Sequence, residues 1–495
     1  MQNSLFFVLV TLLFFGCNSS KPEEKKLESV TPVLSEVDSL MDKKDFPFYH
    51  GVASGDPLNN SVIIWTRVTP KNHEQVKVNY QISTDSTMKE IVDSGIFETD
   101  SSRDYTVKMD IKNLSPGTTY YYQFSAFDKK SPIGRTKTIA ENPTQVRVGF
   151  ASCSNYAWGY FNAYRIMAED TLDAVIHLGD YIYEHEQGVY EDSVLKRNHI
   201  PNKEIVTLRD YRTRYSQYRL DEDLKAVHAA HPFITIWDDH EITNNAYETG
   251  AQNHQSDTEG DWKNRLSRAK KAYYEWMPIR ENEGKHYRSF SFGKLANLIM
   301  LDTRVEGRTQ QPEEVDSNKS DSTMHIISDS QMKWFKKEIE KNHQWKIIGN
   351  QILFSDMFVF WSKSPILYND GWSAYREDQK KVKDLLNSIE GAIIVTGDFH
   401  SSFAINKTVN KTNPERNRFE EFVVPSITSA NYDEDMSRDS ALVYQKWYES
   451  KNDLSFCNLT DHGYFILKIN EAGYNYEYKF VKTVSKPSKE LISIK

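Results

Sequence analysis

Three short runs constrain this chain most: Gly179-Asp180-Tyr181-Ile182-Tyr183-Glu184, Trp237-Asp238-Asp239-His240-Glu241 and Gly397-Asp398-Phe399-His400. Each follows directly on an apolar run that reads as a strand buried on both faces. Each then presents carboxylates at the strand's carboxyl end, with an imidazole in the last two. Open α/β sheets gather ligands just beyond those ends. Carboxylate, imidazole and phenolate drawn from several strand tips form the donor set of a dinuclear metal centre. The residues alone therefore point to a metallohydrolase.

The surrounding pattern supports an α/β layered domain. Apolar runs at 146–151, 174–178, 233–237, 298–301, 347–348 and 392–395 lack strict alternation. Segments of helical composition, such as 264–276 and 330–341, lie between them. Residues 464–469 and 474–481 read as an antiparallel pair closing the sheet. From 46 to 142 the texture differs: short strands, some clearly alternating, are separated by turn residues, as in a small fibronectin type III-like sandwich. Asp56, in Ser54-Gly55-Asp56-Pro57, reads there as turn chemistry. The segment from 186 to about 208 has no clear period and, with 247–261, is expected to roof the site.

The N-terminus reads as a targeting segment. Residues 5–15 are almost wholly apolar, too short to span a membrane but right for a signal-peptide core. The run ends in Phe14-Phe15-Gly16-Cys17, which resembles a bacterial lipobox whose cleavage leaves Cys17 lipidated. No Lys or Arg precedes the run and Phe15 is bulky, so an ordinary cleaved signal is the competing reading. Residues 18–45 read as a solvated tether. The expected order is then signal with lipobox 1–17, tether 18–45, β-sandwich 46–142, catalytic domain 143–485 and tail 486–495. The expected location is the bacterial cell envelope, with the membrane as a partner through the lipid. A net charge of -9 gives no footprint for nucleic acid. Of three cysteines, Cys153 and Cys457 could pair in one disulfide, but there is no disulfide framework. Cys457 reads as a buried small hydrophobe.

Each tip has a chemical reading and a plainer one. Cys153 follows 146–151 and offers a thiolate, or is simply a buried thiol. Asp180 is placed to bridge two cations roughly 3.5–4 Å apart. Tyr183 can turn back to the same centre, or be a core aromatic. Around His240, the carboxylates Asp238, Asp239 and Glu241 are costly to desolvate without cations. Asn244 and Asn245 can give amide oxygens to a hard ion or hydrogen bonds to a phosphoryl oxygen. Asp398 and His400 fall on one side if the segment is still extended.

These residues resemble the calcineurin-like metallophosphoesterases and, within them, the PhoD-like alkaline phosphatases. The 50–57 run with Trp65-Thr66-Arg67 is similar to that family's N-terminal sandwich. Phe150 to Ser154, the three runs above, Trp276 to Arg280, Leu301 to Arg304 and Ile348 to Gln351 resemble its catalytic signatures in order and spacing. The resemblance implies a four-layer sandwich of two mixed sheets flanked by helices. It implies an exported phosphoric ester hydrolase using Fe(3+) and Ca(2+), with in-line attack by metal-activated hydroxide on a phosphomonoester. Carried over, Cys153, Asp180, Tyr183 and Asp398 would hold iron, and Asp180, Asp239 and His400 calcium. His240 would serve as leaving-group acid or phosphate contact. Arg304 is a candidate for stabilising the transition state, or else an ion pair of Asp302. Asn244, Asn245 and Asn350 are candidates for calcium or substrate. Two alternatives stand: a phosphodiesterase or phospholipase D-like esterase on the same metals, and a non-catalytic surface-binding lipoprotein.

Overall fold

The computed structural model describes residues 34–72, 74–281, 284–315, 321–360, 365–405, 418–451 and 454–494. The expected signal run, Cys17 and the expected tether up to residue 33 lie outside the described residues.

Two sheets form the body. The larger has nine strands in the order Leu491–Ile494, Gly473–Val481, Gly463–Asn470, Gln145–Ala151, Ala174–His177, Pro232–Thr235, Val52–Gly55, Val62–Arg67 and Thr106–Ile111. Its four middle strands, from Gln145–Ala151 to Val52–Gly55, run parallel. The flanking strands pair antiparallel, including the expected closing pair Gly463–Asn470 and Gly473–Val481. The seven-stranded sheet has Ala296–Met300, Trp345–Asn350, Ala392–Thr396 and Glu420–Val423 parallel at its centre.

Alternation along these apolar strands sorts side chains into two different cores. Ile176, Ile347 and Ile393 meet between the sheets. Their neighbours point outward. Val175 packs with Tyr215, Tyr273 and Trp276 of helices Leu208–Arg219 and Trp262–Trp276. Ile348 and Ile394 pack with Phe335, Val382 and Leu386 of helices Asp329–Ile339 and Arg376–Asn387. Each such side chain contributes about 1.5–3 kcal/mol by leaving water. The result is helix, sheet, sheet, helix, and it explains why runs buried on both faces show no polar alternation.

The strands between residues 52 and 137 form a β unit with its own core of Val62, Ile64, Val78, Ile82, Tyr122 and Phe124. Its second sheet contains Ile91–Thr99, Val76–Ser83 and Thr119–Ala126. Val52–Gly55, Val62–Arg67 and Thr106–Ile111, however, belong to the nine-stranded sheet. The boundary expected at 142 thus divides neither the sheet nor the core cleanly, because Ala53 and Trp65 pack with Tyr215 and Trp276. The expected tail likewise contributes an edge strand, Leu491–Ile494. Asp56 is not turn chemistry. Its carboxylate is 1% exposed, accepts from the Arg280 backbone N–H at 2.7 Å, and pairs with Arg288 at 3.1 Å. It ties the N-terminal strands to the segment that enters the second sheet.

Candidate active site

The carboxyl ends of the parallel strands converge. Gln145–Ala151 leads to Cys153, Ala174–His177 to Asp180, Pro232–Thr235 to Asp239, Ala296–Met300 to Arg304 and Ala392–Thr396 to Asp398. At the tips the backbone leaves the extended form abruptly. Cys153, Asp180, Asn245, Asp398 and His400 have φ of +58°, +56°, +54°, +60° and +62°. Non-glycine residues held there cost about 1–3 kcal/mol each and cluster at functional sites. Gly179 has φ +112°, and a Cβ on it would stand 2.3 Å from the Asp238 Cβ. Two tips can touch only because that residue is glycine. Glu241 clamps the same pair: its carboxylate accepts from the N–H groups of Asp180 (3.1 Å), Asp238 (2.9 Å) and Tyr181 (2.6 Å). Burial raises its pKa to about 8.

Three donor groups share Asp180, one of them formed with Asp239 and His240 and the other two set apart by their chemistry. The ligand atoms of Cys153, Asp180 and His400 all lie within 4.8 Å of one another, and so do those of Asp180, Asp238, Asp239 and Asp398. The Tyr183 hydroxyl is 2.9 Å from Asp180 Oδ2, with Ser429 Oγ 2.6 Å beyond it. This division reverses the expected places of two residues, for His400 groups with the thiol and Asp398 with the carboxylates. The reason is local. The strand ends at Thr396, and left-handed conformations at both 398 and 400 break the alternation that would have put the two on one side. Asp238, given no role from sequence, joins the second group.

These residues fit a pair of cations. Asp180 Oδ1 and Asp238 Oδ2 are buried without a hydrogen-bond partner. An unsatisfied buried acceptor costs about 1–3 kcal/mol, more when charged. Burial pushes the Asp180 and Asp238 carboxyls well above the usual range, and their crowding with neighbouring carboxylates adds to it. Burial likewise raises the Cys153 thiol. Bound cations would remove these penalties. His400 Nδ1 is 2.9 Å from the Ala430 carbonyl, which fixes the proton there and leaves Nε2 free to ligate.

A cleft of about 320 Å³ opens over both groups, lined by Asp180, Asp239, His240, Asp398 and His400 among others. Tyr190, from the segment expected as a roof, lines it as well. Residues 186–206 contain no helix or strand.

Residues 148–478 match the family described as PhoD-like phosphatase, and residues 35–140 match its N-terminal domain. The chain belongs to the PhoD-like phosphatase family. It is 32% identical over 476 residues to alkaline phosphatase D of Bacillus subtilis (strain 168), covering 91% of this chain and 80% of that protein. It matches a solved structure of PhoD with a TM-score of 0.80 at 30% identity, covering 91% of this chain and 90% of the other. This PhoD-like phosphatase is a phosphoric ester hydrolase, and its family carries metal dependence with it.

The remaining expected residues of the phosphatase take distinct places. His240 lines the cleft, and its Nδ1 is 2.6 Å from Glu184 Oε2. Burial would lower its pKa, but Glu184, Asp239 and Asp180 overcome that and hold it well above the usual value. Asn244 and Asn245 also line the cleft. Their backbone N–H groups go to Glu184 (2.7 Å) and Asp239 (2.5 Å), and their amide nitrogens turn to Gln252. Their amide oxygens are what they leave to the cleft. Arg304 does not pair with the Asp302 side chain through its guanidinium. That group is fully buried against Asp238, Asp370 (2.9 Å) and Asp398 (3.2 Å), with Asp239 at 3.6 Å. It is a fixed counter-charge behind the carboxylates. Asn350 is not brought to the cleft: its amide bonds the Ile352 carbonyl and Trp372 Nε1 inside the fold. Cys153 and Cys457 are both free and buried. Glu184 lies in a strand-tip run whose sequence assigns it no role, and Asp370, Ser429 and Tyr190 carry no local signal.

Proposed function

We propose that the chain hydrolyses phosphomonoesters in this cleft, with Cys153, Asp180, Tyr183 and His400 holding a ferric ion and Asp180, Asp238, Asp239 and Asp398 a calcium ion. Thiol and phenol suit a trivalent iron, and four carboxylates suit a hard cation rich in oxygen ligands. When bound, such cations lower the pKa of a water and neutralise phosphoryl charge. The chain's own contribution is positioning and proton delivery. Asp180 sets the two groups side by side. Arg304 holds Asp238, Asp239 and Asp398 against mutual repulsion. His240, kept protonated by Glu184, is placed to give its proton to the departing ester oxygen. The single observation carrying this reading is the shared carboxylate of Asp180 between two donor groups under one cleft.

The experiment is elemental analysis with p-nitrophenyl phosphate turnover, for the parent chain and Asp180→Ala. The parent should hold iron and calcium near one each and be coloured by thiolate- or phenolate-to-iron charge transfer. Asp180→Ala should lose both metals and fall in kcat by at least about a thousandfold, while its circular dichroism stays native. A colourless active parent containing only zinc would refute the iron assignment.

A diester reading has one observation in its favour. A side basin of about 430 Å³ shares His185 and Asn244 with the cleft, giving room for a second arm.

We also infer export and a lipid anchor on Cys17, from the apolar run 5–15 followed by Gly16-Cys17. In a bacterial host, the chain should incorporate labelled palmitate and Cys17→Ala should not. Equal labelling of both would remove the anchor.

A further inference from the structure

Part of the cleft wall has a composition that the phosphate chemistry does not require. Four aromatic side chains line it: Tyr190, Tyr368, Phe399 and Tyr432. The three phenol hydroxyls are engaged inside the protein. Tyr190 accepts from the Ala430 N–H at 3.1 Å, Tyr368 donates to Asp398 at 2.6 Å, and Tyr432 is 3.1 Å from the Tyr448 hydroxyl. What these residues offer to a ligand is therefore ring surface rather than hydrogen bonds. Phe399 sits between two of them, with ring centroids 5.3 Å from Tyr368 and 6.3 Å from Tyr432.

The charge beside these rings is negative. Three consecutive acids, Asp433, Glu434 and Asp435, make up the rest of the short helix Tyr432–Asp435. Asp433 pairs with Arg438 at 3.2 Å, and Glu434 meets His462 at 3.2 Å and accepts from the Asn431 N–H at 3.0 Å. Asp435 lines the cleft, with no side-chain partner among the described residues. No Lys or Arg lines the cleft among the described residues either. An enzyme that bound its substrate through phosphate charge alone, or that took an anionic leaving group, would gain from a cation here.

We propose that the phosphoester is that of a small ammonium alcohol, of the choline or ethanolamine kind, whose cationic head lies against Tyr190, Phe399 and Tyr432 and is neutralised by Asp435. Ring faces attract alkylammonium groups, most of all when water is excluded. A cleft of about 320 Å³ accommodates a phosphate joined to a small ammonium alcohol. The reaction balances as a hydrolysis. A water oxygen bonds to phosphorus, the ester P–O bond breaks, and the departing alkoxide takes a proton to leave as the free amino alcohol. This proposal rests on the reading of the cleft as the phosphatase site.

The test compares kcat/KM for choline phosphate and for 3,3-dimethylbutyl phosphate, its neutral isostere, with the metal-replete full chain. p-Nitrophenyl phosphate is the reference ester. The parent should prefer the choline ester by roughly tenfold or more. That ratio should fall towards one in Asp435→Asn and in Tyr432→Leu, and below one in Asp435→Lys. Because the readout is a ratio within one protein, a partly folded variant lowers both esters together and leaves it unmoved. A parent ratio near one alongside p-nitrophenyl phosphate turnover overturns this proposal alone, as does a ratio undiminished in both Asp435 variants. No hydrolysis of any of the three esters overturns the phosphatase reading as well.

Discussion

Glu184 shows how much a single side chain can decide here. It is fully buried, yet its carboxyl is held well below the usual range: burial would raise it, and His185 and His240 outweigh that. One oxygen holds His240 at 2.6 Å and the other accepts from the Asn244 N–H at 2.7 Å. The imidazole is thereby both aimed and kept protonated. In Glu184→Gln, kcat for an alkyl ester such as glycerol phosphate should fall about 10²–10⁴-fold, the usual size of a general-acid contribution. p-Nitrophenyl phosphate should lose far less, since its leaving group departs without a proton. The acid form of His240 persists to a pH above the ordinary histidine value, so its contribution is lost as pH rises through the elevated pKa. Removing the Glu184 charge should move that basic limb of kcat to lower pH. Equal losses for both esters, with an unmoved limb, would show that Glu184 only holds the fold.

At the scale of elements, the parts of the chain governed by apolar periodicity were legible. Runs at 146–151, 174–178 and 392–395 are strands Gln145–Ala151, Ala174–His177 and Ala392–Thr396, and the segment at 264–276 lies in helix Trp262–Trp276. The convergence of Cys153, Asp180, Asp239 and Asp398 was legible too, because parallel strands deliver their carboxyl ends to one edge. What sequence could not carry was backbone conformation after the strand. The φ values at 398 and 400 exchange the neighbours of Asp398 and His400; Asp and His are enriched in the left-handed region, but they adopt it too rarely for their presence to announce the turn. Helix Leu208–Arg219 was hidden for another reason. Its LRDYRTRYSQYR sequence is too polar to read as core, yet ten of its twelve residues are buried. Arg214 accounts for the discrepancy. Its guanidinium reaches the carbonyls of His185 (3.1 Å), Ile200 (3.1 Å) and Pro201 (3.0 Å), so the charged helix is the interior support of the loop above the site. Arg304 illustrates the same limit: a lone arginine after a strand reads equally as a substrate contact or as a counter-charge, and only its burial decides.

For the whole molecule, the decisive feature is that the N-terminal unit is built into the catalytic sheet. Val52–Gly55 lies parallel to Pro232–Thr235, whose four residues are all buried. Trp65 Nε1 donates to the Glu275 carbonyl at 2.8 Å, and His50 meets Ser216 at 2.7 Å. Ala53 and Trp65 share a core with Tyr215 and Trp276. Removing residues 1–142 would therefore not release a domain. It would strip the partner from a buried strand tip that leads directly to Asp239, and an apolar unpaired edge recruits other chains. It would also leave Arg288 buried without Asp56, a loss of about 3–5 kcal/mol for a broken buried pair. A fragment of residues 143–495 should accumulate as aggregate and bind no metal. The chain from residue 34 onward should unfold in one calorimetric transition spanning both units. A soluble fragment with parental turnover, or two separate transitions, would mean that the shared strands are an accessory to the sheet and not part of what holds the site together.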